Sequence, residues 1–251
     1  MHLAGRTAVV LGVTGNVGWG AAKAFLKHGA RVVGVTRSPE QARALPDLLG
    51  APDRVTALVA DLSTPEGARS LADQLAAGSD GNDAHDGYDH VFASMGPWWQ
   101  KGPIVEQSGD EYREVMRANL DCQVFAAQAL IPPIRRRSGA SYTIVTGQGG
   151  HASIPGTGLL VIAVSGVFGL SRMLRLEHAA DPVRVNELLI SARVERAPRP
   201  GVVPAEEFGE SAAAIAGSLL RGEVVRYDSP QQFTAAMARS SDPTPKNEET
   251  P

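Results

Sequence analysis

The sequence predicts an α/β fold built on a single doubly wound parallel sheet with helices on both faces. Short β-branched runs alternate with longer helix-like segments along most of the 251 residues, the pattern of strands joined by crossover helices. Three glycines fall between the first such run and the first helix, where an open sheet binds its ligands. The length suits one domain with a substantial core.

Strands are expected at 7–11 (TAVVL), 31–35 (RVVGV), 55–59 (VTALV), 90–93 (HVFA), 142–146 (YTIVT) and 184–190 (RVNELLI), with a last one at 223–227. Helices are expected at 19–28, 65–77, 111–136, 159–180 and 205–221. The most apolar stretch, 158–170, is shorter than the roughly 20 residues of a spanning helix and is interrupted by Ser165, Gly166 and Gly169, so it is expected as a buried helix. Residues 78–88 (GSDGNDAHDGY) read as a surface loop with His85 in solvent. The domain is expected to span 1–238, followed by a disordered tail at 239–251, RSSDPTPKNEETP, too polar to offset the entropy of ordering it.

Charge narrows the partners. With 24 Lys plus Arg against 27 Asp plus Glu, the net charge of −3 gives no reason to expect a nucleic acid or an anionic membrane, and a small molecule fits better. The opening MHLAGRTAVVLGV lacks the apolar region and cleavage site of a secretory signal, and a lone Cys122 suits a reducing compartment; a cytoplasmic location is expected. Cys122 reads as a small core residue on a helix.

The glycine turn runs Gly12-Val13-Thr14-Gly15-Asn16-Val17-Gly18 into a helix. Glycine lets the backbone turn sharply and approach a pyrophosphate, and unpaired amides at the helix start supply donors and the positive end of the dipole. The second strand ends Val35-Thr36-Arg37-Ser38, without the acidic residue that would accept a ribose 2′-hydroxyl. A guanidinium there can pair with a 2′-phosphate, which favours NADP(H) over NAD(H); the alternative for Arg37 is a solvated charge at a strand end.

Gly18 before the His28-Gly29-Ala30 turn, Asp61-Leu62 after the third strand, Asn119 in Met116-Arg117-Ala118-Asn119-Leu120, Gly150, Pro155-Gly156, Gly169-Leu170 and Arg184-Val185-Asn186 together resemble the short-chain dehydrogenase/reductase family, a Rossmann fold. The likeness runs from about residue 7 to 186. The glycine spacing is that of extended and atypical members, with Asn16 where the common form has its middle glycine. The resemblance implies that Asp61 and Leu62 hold an adenine, although Asp61 also reads as a helix cap. It also implies that Ser94 and Gly96, in Ala93-Ser94-Met95-Gly96, stand where the family has Asn-Asn-Ala-Gly beside the nicotinamide.

In the same register the family's catalytic serine, tyrosine and lysine fall on Gly147, Leu160 and Val164. A slipped alignment does not restore them, since the lysines are Lys23, Lys27, Lys101 and Lys246 and the tyrosines Tyr88, Tyr112, Tyr142 and Tyr227. In the family the tyrosine supplies the proton that a reduced ketone needs, and general acid catalysis contributes about 10² to 10⁴-fold. Ordinary dehydrogenase chemistry is therefore not expected.

What remains on the substrate loops is Trp98, Trp99, Gln100 and Lys101; Gln148, His151 and Ser153; and Arg193, Glu195 and Arg196. His151 is the candidate acid or base, against the reading of a surface loop histidine. Asn119 either orients a water or substrate oxygen or bonds a helix backbone. Trp98 and Trp99 stack on a substrate or seal a core edge. Leu160 and Val164 either fill the old pocket or line it for an apolar or aromatic substrate. Two functions stay open: a divergent enzyme of specialised metabolism performing cyclisation, isomerisation, elimination or atypical reduction, and a non-catalytic NADP(H)-binding sensor or regulatory subunit. A homo-oligomer is expected, because the resemblance makes the helices carrying Asn119 and Leu160 the family's dimer pair and the latter is apolar on nearly every side.

Overall fold

Backbone pairing places seven strands in one parallel sheet. A computed structural model describes residues 3–78, 87–150 and 154–240. In chain order the sheet strands are β1 (Thr7–Leu11), β2 (Arg31–Thr36), β3 (Val55–Val59), β4 (His90–Ala93), β5 (Ser141–Gly147), β6 (Arg184–Ile190) and, after a two-stranded ribbon of β7 (Val194–Glu195) and β8 (Val203–Pro204), β9 (Val224–Tyr227). Their spatial order is β3-β2-β1-β4-β5-β6-β9. The chain winds outward from β1 to β3 and then returns to begin the other half at β4, so β1 and β4 flank the switch point.

The helices are α1 (Asn16–Lys27), α2 (Pro39–Leu49), α3 (Pro65–Ala77), α4 (Gly109–Met116), α5 (Cys122–Ile134), α6 (Gly158–Glu177), α7 (Ala205–Ala216) and α8 (Pro230–Ser240). Strand alternation feeds both layers. Ala8 and Val10 face a core with Phe25, Phe208 and Tyr227, while Val9 and Leu11 face another with Leu71, Leu130 and Tyr142. At the α1–α7 crossing a Cβ on Gly20 would lie 1.9 Å from the Ala205 carbonyl oxygen and one on Gly209 2.0 Å from that of Gly20, so the backbones meet with room for hydrogen alone.

Each strand expected from the sequence is present, and several helices differ. α2 was not expected, because Pro46 interrupts its pattern; it forms because Ser38 Oγ accepts from Gln41 N at 3.2 Å, Pro39 opens it, and Gly50 closes it at φ 69°. The helix expected over 111–136 is α4, a π-helical segment (Arg117–Asp121) and α5, opened by a reciprocal Ser108–Glu111 capping box. The helix expected over 205–221 ends at Ala216, where the buried Arg184 guanidinium donates to the Ala216 carbonyl at 2.8 Å. α8 was also not expected and reaches Ser240, past the start assigned to the tail; the tail beyond it, His85 and most of the 78–88 loop lie outside the described residues.

α6 departs from the buried helix expected. It extends to Glu177 and is apolar and long enough, by length and composition alone, to cross a membrane. Leu159, Leu160, Ala163, Val167 and Ser171 are buried, but Ile162, Met173 and Leu176 are exposed, because one face packs on β5, β6 and the π segment and the other is left uncovered by the described residues.

His90 is buried in β4, its Nδ1 2.9 Å from Ser141 Oγ. Burial lowers its pKa to about 4, with the Asp89 carboxylate opposing and Arg184 and Arg6 reinforcing. Between about pH 6.5 and 4 the unfolded chain binds a proton here that the folded chain does not, so stability rises with pH across this window and falls as pH drops through it. The expected loss is about 3 kcal/mol. Thermal melts of wild type and His90→Asn from pH 7 to 4 check this: the wild type should lose more, and parallel curves would refute it.

Candidate functional site

Two adjoining cavities open at the carboxyl ends of the strands, on either side of the loop after β4. The first, of about 290 Å³, is lined by Gly12, Thr14 and Gly15 from the first turn, Arg37 after β2, Asp61 to Ser63 after β3, and Arg117 from the π segment. Gly12 has φ 74°, and a Cβ on it would stand 2.4 Å from the Ser94 carbonyl oxygen; one on Gly18 would meet the Gly12 carbonyl at 2.3 Å. Gly15 caps α1, with Trp19 N donating to its carbonyl, which leaves the amides of Asn16, Val17 and Gly18 at the open helix start. Open amides at a helix start are the kind of donors that hold a diphosphate.

The sequence-derived binding residues divide. Gly12, Thr14, Gly15, Arg37, Asp61, Leu62, Ser94 and Gly96 line the cleft. Gly18 serves the close packing just described, and Val17 lines the second cavity. Asn16 turns away: its Nδ2 donates to the Val194 carbonyl at 3.0 Å, and Arg196 donates to the Thr14 carbonyl at 2.6 Å while lying over Trp19, so the β7–β8 ribbon is tied to the turn twice. Ser38, expected beside a 2′-phosphate, caps α2 and is not in the cleft wall.

Asp61 does not cap α3; Thr64 does, through Gly67 N at 3.1 Å. Asp61 Oδ1 accepts from Ser63 N and Oγ at 3.0 and 2.7 Å, and the Ser63 hydroxyl holds its carboxyl below the usual range, with Arg117 and Arg37 adding to the effect. Arg117 was not singled out in the sequence, yet it donates to Ser63 Oγ at 3.0 Å across the cleft. Cys122 sits at the back, its thiol pushed up to about 12 by burial, in keeping with a core residue.

The second cavity, of about 210 Å³, shares Ser94, Met95, Gly96 and Pro97 with the first. Asn119, Gln123, Gly147, Leu160, Val164 and Trp98 stand in its wall. Leu160 and Val164 line this space without filling it, and Val164 packs against Gly150, where a Cβ would lie 2.5 Å from its Cγ1. Asn119 bonds its own helix, Nδ2 to the Val115 carbonyl at 3.2 Å, with its Oδ1 close above Gly96. Beneath the floor, the buried Glu187 carboxylate accepts from Thr146 Oγ1 and Ser171 Oγ, each at 2.7 Å.

The two tryptophans part company. Trp98 is 58 % exposed at the cavity mouth, whereas Trp99 packs on Met116, Leu159 and Ala163, donates to Gln107 at 2.8 Å and has Lys101 Nζ 4.1 Å from its ring centre. Most other loop groups expected at the site are engaged outside it: Gln100 with the Pro155 carbonyl, Lys101 with Glu111, and Glu195 with Arg193 and Arg199. Gln148 lies in the turn after β5 and is not in either wall. His151 and Ser153 lie outside the described residues. Among the described residues, no tyrosine, lysine or histidine lines either cavity.

A seven-stranded parallel sheet with a glycine cradle at its switch point defines a dinucleotide-binding α/β protein. Residues 12–214 match the family model described as enoyl-(acyl carrier protein) reductase, and the chain belongs to the short-chain dehydrogenase/reductase family. It is 28 % identical over 216 residues to the short-chain dehydrogenase/reductase iacG of Pestalotiopsis fici, covering 82 % of this chain and 84 % of that protein. To the oxidoreductase UcpA of Escherichia coli it is 25 % identical over 187 residues, covering 74 % and 68 %. The fold matches a crystal structure of a putative betaketoacyl-ACP reductase (TM-score 0.76, 20 % identity, 90 % of this chain and 98 % of that one) and a metagenomic short-chain oxidoreductase in complex with NADP (0.76, 22 %, 90 % and 99 %).

Proposed function

We propose that this chain is a divergent small-molecule enzyme of specialised metabolism that binds NADP(H), with cyclisation, isomerisation, elimination or atypical reduction in place of ordinary dehydrogenation. The observation that carries the reading is the second cavity, which adjoins the nucleotide cleft and remains open although apolar side chains stand at the family's tyrosine and lysine positions. When bound, the dinucleotide supplies hydride chemistry at its nicotinamide. Gly147, Leu160 and Val164 offer no hydroxyl to orient a carbonyl, no proton donor and no cation to lower a donor's pKa, so reduction of a simple ketone lacks its proton. Asn119 is then an orienting group and His151 the candidate acid or base. The second reading, a non-catalytic NADP(H)-binding sensor or regulatory subunit, is favoured by the lack of a titratable side chain on the described wall of this cavity.

NADP(H) is preferred to NAD(H) in this reading, because the residue directly after β2, where a carboxylate would accept a ribose 2′-hydroxyl, is Arg37, and it lines the cleft. The NADP held by a structural relative supports it. Calorimetry should find NADPH bound at least about 10-fold more tightly than NADH, with Arg37→Ala abolishing most of the difference, as a charged hydrogen bond of about 1.5–3 kcal/mol implies. Equal affinities in the wild type would overturn the assignment.

A screen of simple ketones with NADPH should give turnover far below the roughly 10 per second of a typical enzyme. Product analysis with candidate apolar or aromatic metabolites, on wild type and His151→Ala, separates the two functions. Turnover of a metabolite supports the enzyme, loss of it in the variant supports His151, and nucleotide binding without any turnover supports the sensor.

A homo-oligomer completes the reading, with a second copy covering the Ile162, Met173 and Leu176 face of α6. Light scattering at micromolar concentration should give a multiple of the chain mass, and Met173→Glu should return a monomer; a monomeric wild type would refute it.

A further inference from the structure

The first cleft is bridged from wall to wall between the π segment and the loop after β3. Arg117, on the π segment, donates through Nη2 to Ser63 Oγ at 3.0 Å, and the Ser63 hydroxyl in turn donates to Asp61 Oδ1 at 2.7 Å. The same Nη2 lies 3.9 Å from Asp61 Oδ2. All three residues line the cleft. The bridge stands at its mouth, since the Arg117 and Asp61 side chains are 56 % and 50 % exposed, whereas Val35, Leu62 and Cys122 of the same wall are buried. Two surfaces of opposite kind therefore border one cavity, an apolar back and a guanidinium at the opening.

A flat aromatic ring suits both surfaces, because its faces are apolar and its π system attracts a cation. Arginine makes the second contact better than lysine, since a planar guanidinium stacks on a ring while its edge N–H groups keep their bonds. Arg117 is held by a neutral hydroxyl, and among the described residues no carboxylate approaches it more closely than Asp61 at 3.9 Å, so its charge is not taken up in a close ion pair. We propose that Arg117 is a nucleotide-binding residue, its guanidinium lying on the adenine ring of the dinucleotide while Ser63 tethers it. The inference rests on the reading of this cleft as the NADP(H) site and deepens it: Arg37 reads the 2′-phosphate, and Arg117 covers the base. Stacked there, Arg117 acts chiefly on release, because the base leaves only when the guanidinium swings aside.

Calorimetry and stopped-flow fluorescence with NADPH are run on the full chain as wild type, Arg117→Met, Arg117→Lys and Ser63→Ala. Circular dichroism checks each fold, and the lysine variant stands in should the methionine variant not fold. NADH, AMP and reduced nicotinamide mononucleotide, which lacks the adenosine half, are titrated in parallel. Arg117→Met should weaken NADPH and AMP about 2- to 30-fold, the range of a cation–π contact, with faster NADPH release and the mononucleotide unaffected. Arg117→Lys should recover part of that loss. Ser63→Ala should lose less than Arg117→Met, because the guanidinium still meets the ring without its tether. NADPH affinity in Arg117→Met equal to the wild type, or higher because the bridge bars entry, overturns the proposal. So does an equal loss in Ser63→Ala, which makes the bridge a brace between the walls, or full recovery in Arg117→Lys, which leaves charge alone. A collapse of the NADPH-over-NADH preference in Arg117→Met moves Arg117 to the 2′-phosphate, a mononucleotide weakened alongside NADPH places the effect away from the base, and either overturns it. A wild type that binds AMP and neither dinucleotide defeats the NADP(H) reading while the AMP series still decides the role of Arg117. A wild type that binds no adenine nucleotide overturns both.

Discussion

The site depends on a turn in which backbone approaches backbone with no space for a side chain. Gly12 lies against the Ser94 carbonyl and Gly18 against Gly12, so the loop after β1, the start of α1 and the loop after β4 are locked in one contact. That contact exists because β1 and β4 are hydrogen-bonded neighbours although two strands and three crossovers separate them in sequence. Its consequence is a pair of cavities instead of one. The short run Ser94 to Pro97, held down by Ser94 bonding Leu11 through both its amide and its hydroxyl, is a wall common to both.

Around that wall, polar groups are unevenly distributed. The first cleft keeps charge at its mouth, with Arg37, Arg117 and Asp61 near one another and Ser63 bridging the last two by hydrogen bonds. The second cavity has no charged side chain among its described lining residues, and one layer down Glu187 is shared between Thr146 of β5 and Ser171 of α6. A buried carboxylate kept under an apolar cavity braces β5, β6 and α6 and leaves the cavity neutral. The π segment acts on the same wall from the other side. One extra residue in the turn sets Asn119 beside Gly96, where its amide bonds its own helix and its oxygen meets the loop.

Much of this was legible in the sequence, for physical reasons that differ from residue to residue. Strands such as TAVVL and RVNELLI stand out because a doubly covered parallel sheet demands apolar, β-branched runs. The glycine turn is legible because at Gly12 and Gly18 no other residue fits. α2 was hidden by Pro46, a residue that argues against a helix interior unless caps at both ends hold the segment, as Ser38 and Gly50 do. Arg117 and Gln123 were hidden for another reason. Each lies within a helix-like stretch where the pattern reports which face is apolar, and it does not report which cavity the helix passes on its way across the sheet. The cap that Ser38 makes was hidden by the same limit, since proximity in sequence to Arg37 does not report that its hydroxyl bonds the next helix.

Asn16 connects these observations. An asparagine side chain at the start of α1 would crowd the cleft if it pointed there. It points instead to the Val194 carbonyl, and Arg196 returns the contact by bonding the Thr14 carbonyl. Asn16 is therefore accommodated by a partner that the sequence places some 180 residues away, as the separations of 178 and 182 residues in these two hydrogen bonds record. The β7–β8 ribbon begins four residues after the end of β6, next to Ile190 in the second cavity, so the same two bonds fix the glycine turn and one border of that cavity. Variation at residue 16 thus reaches the pocket through backbone, without altering any side chain that lines it.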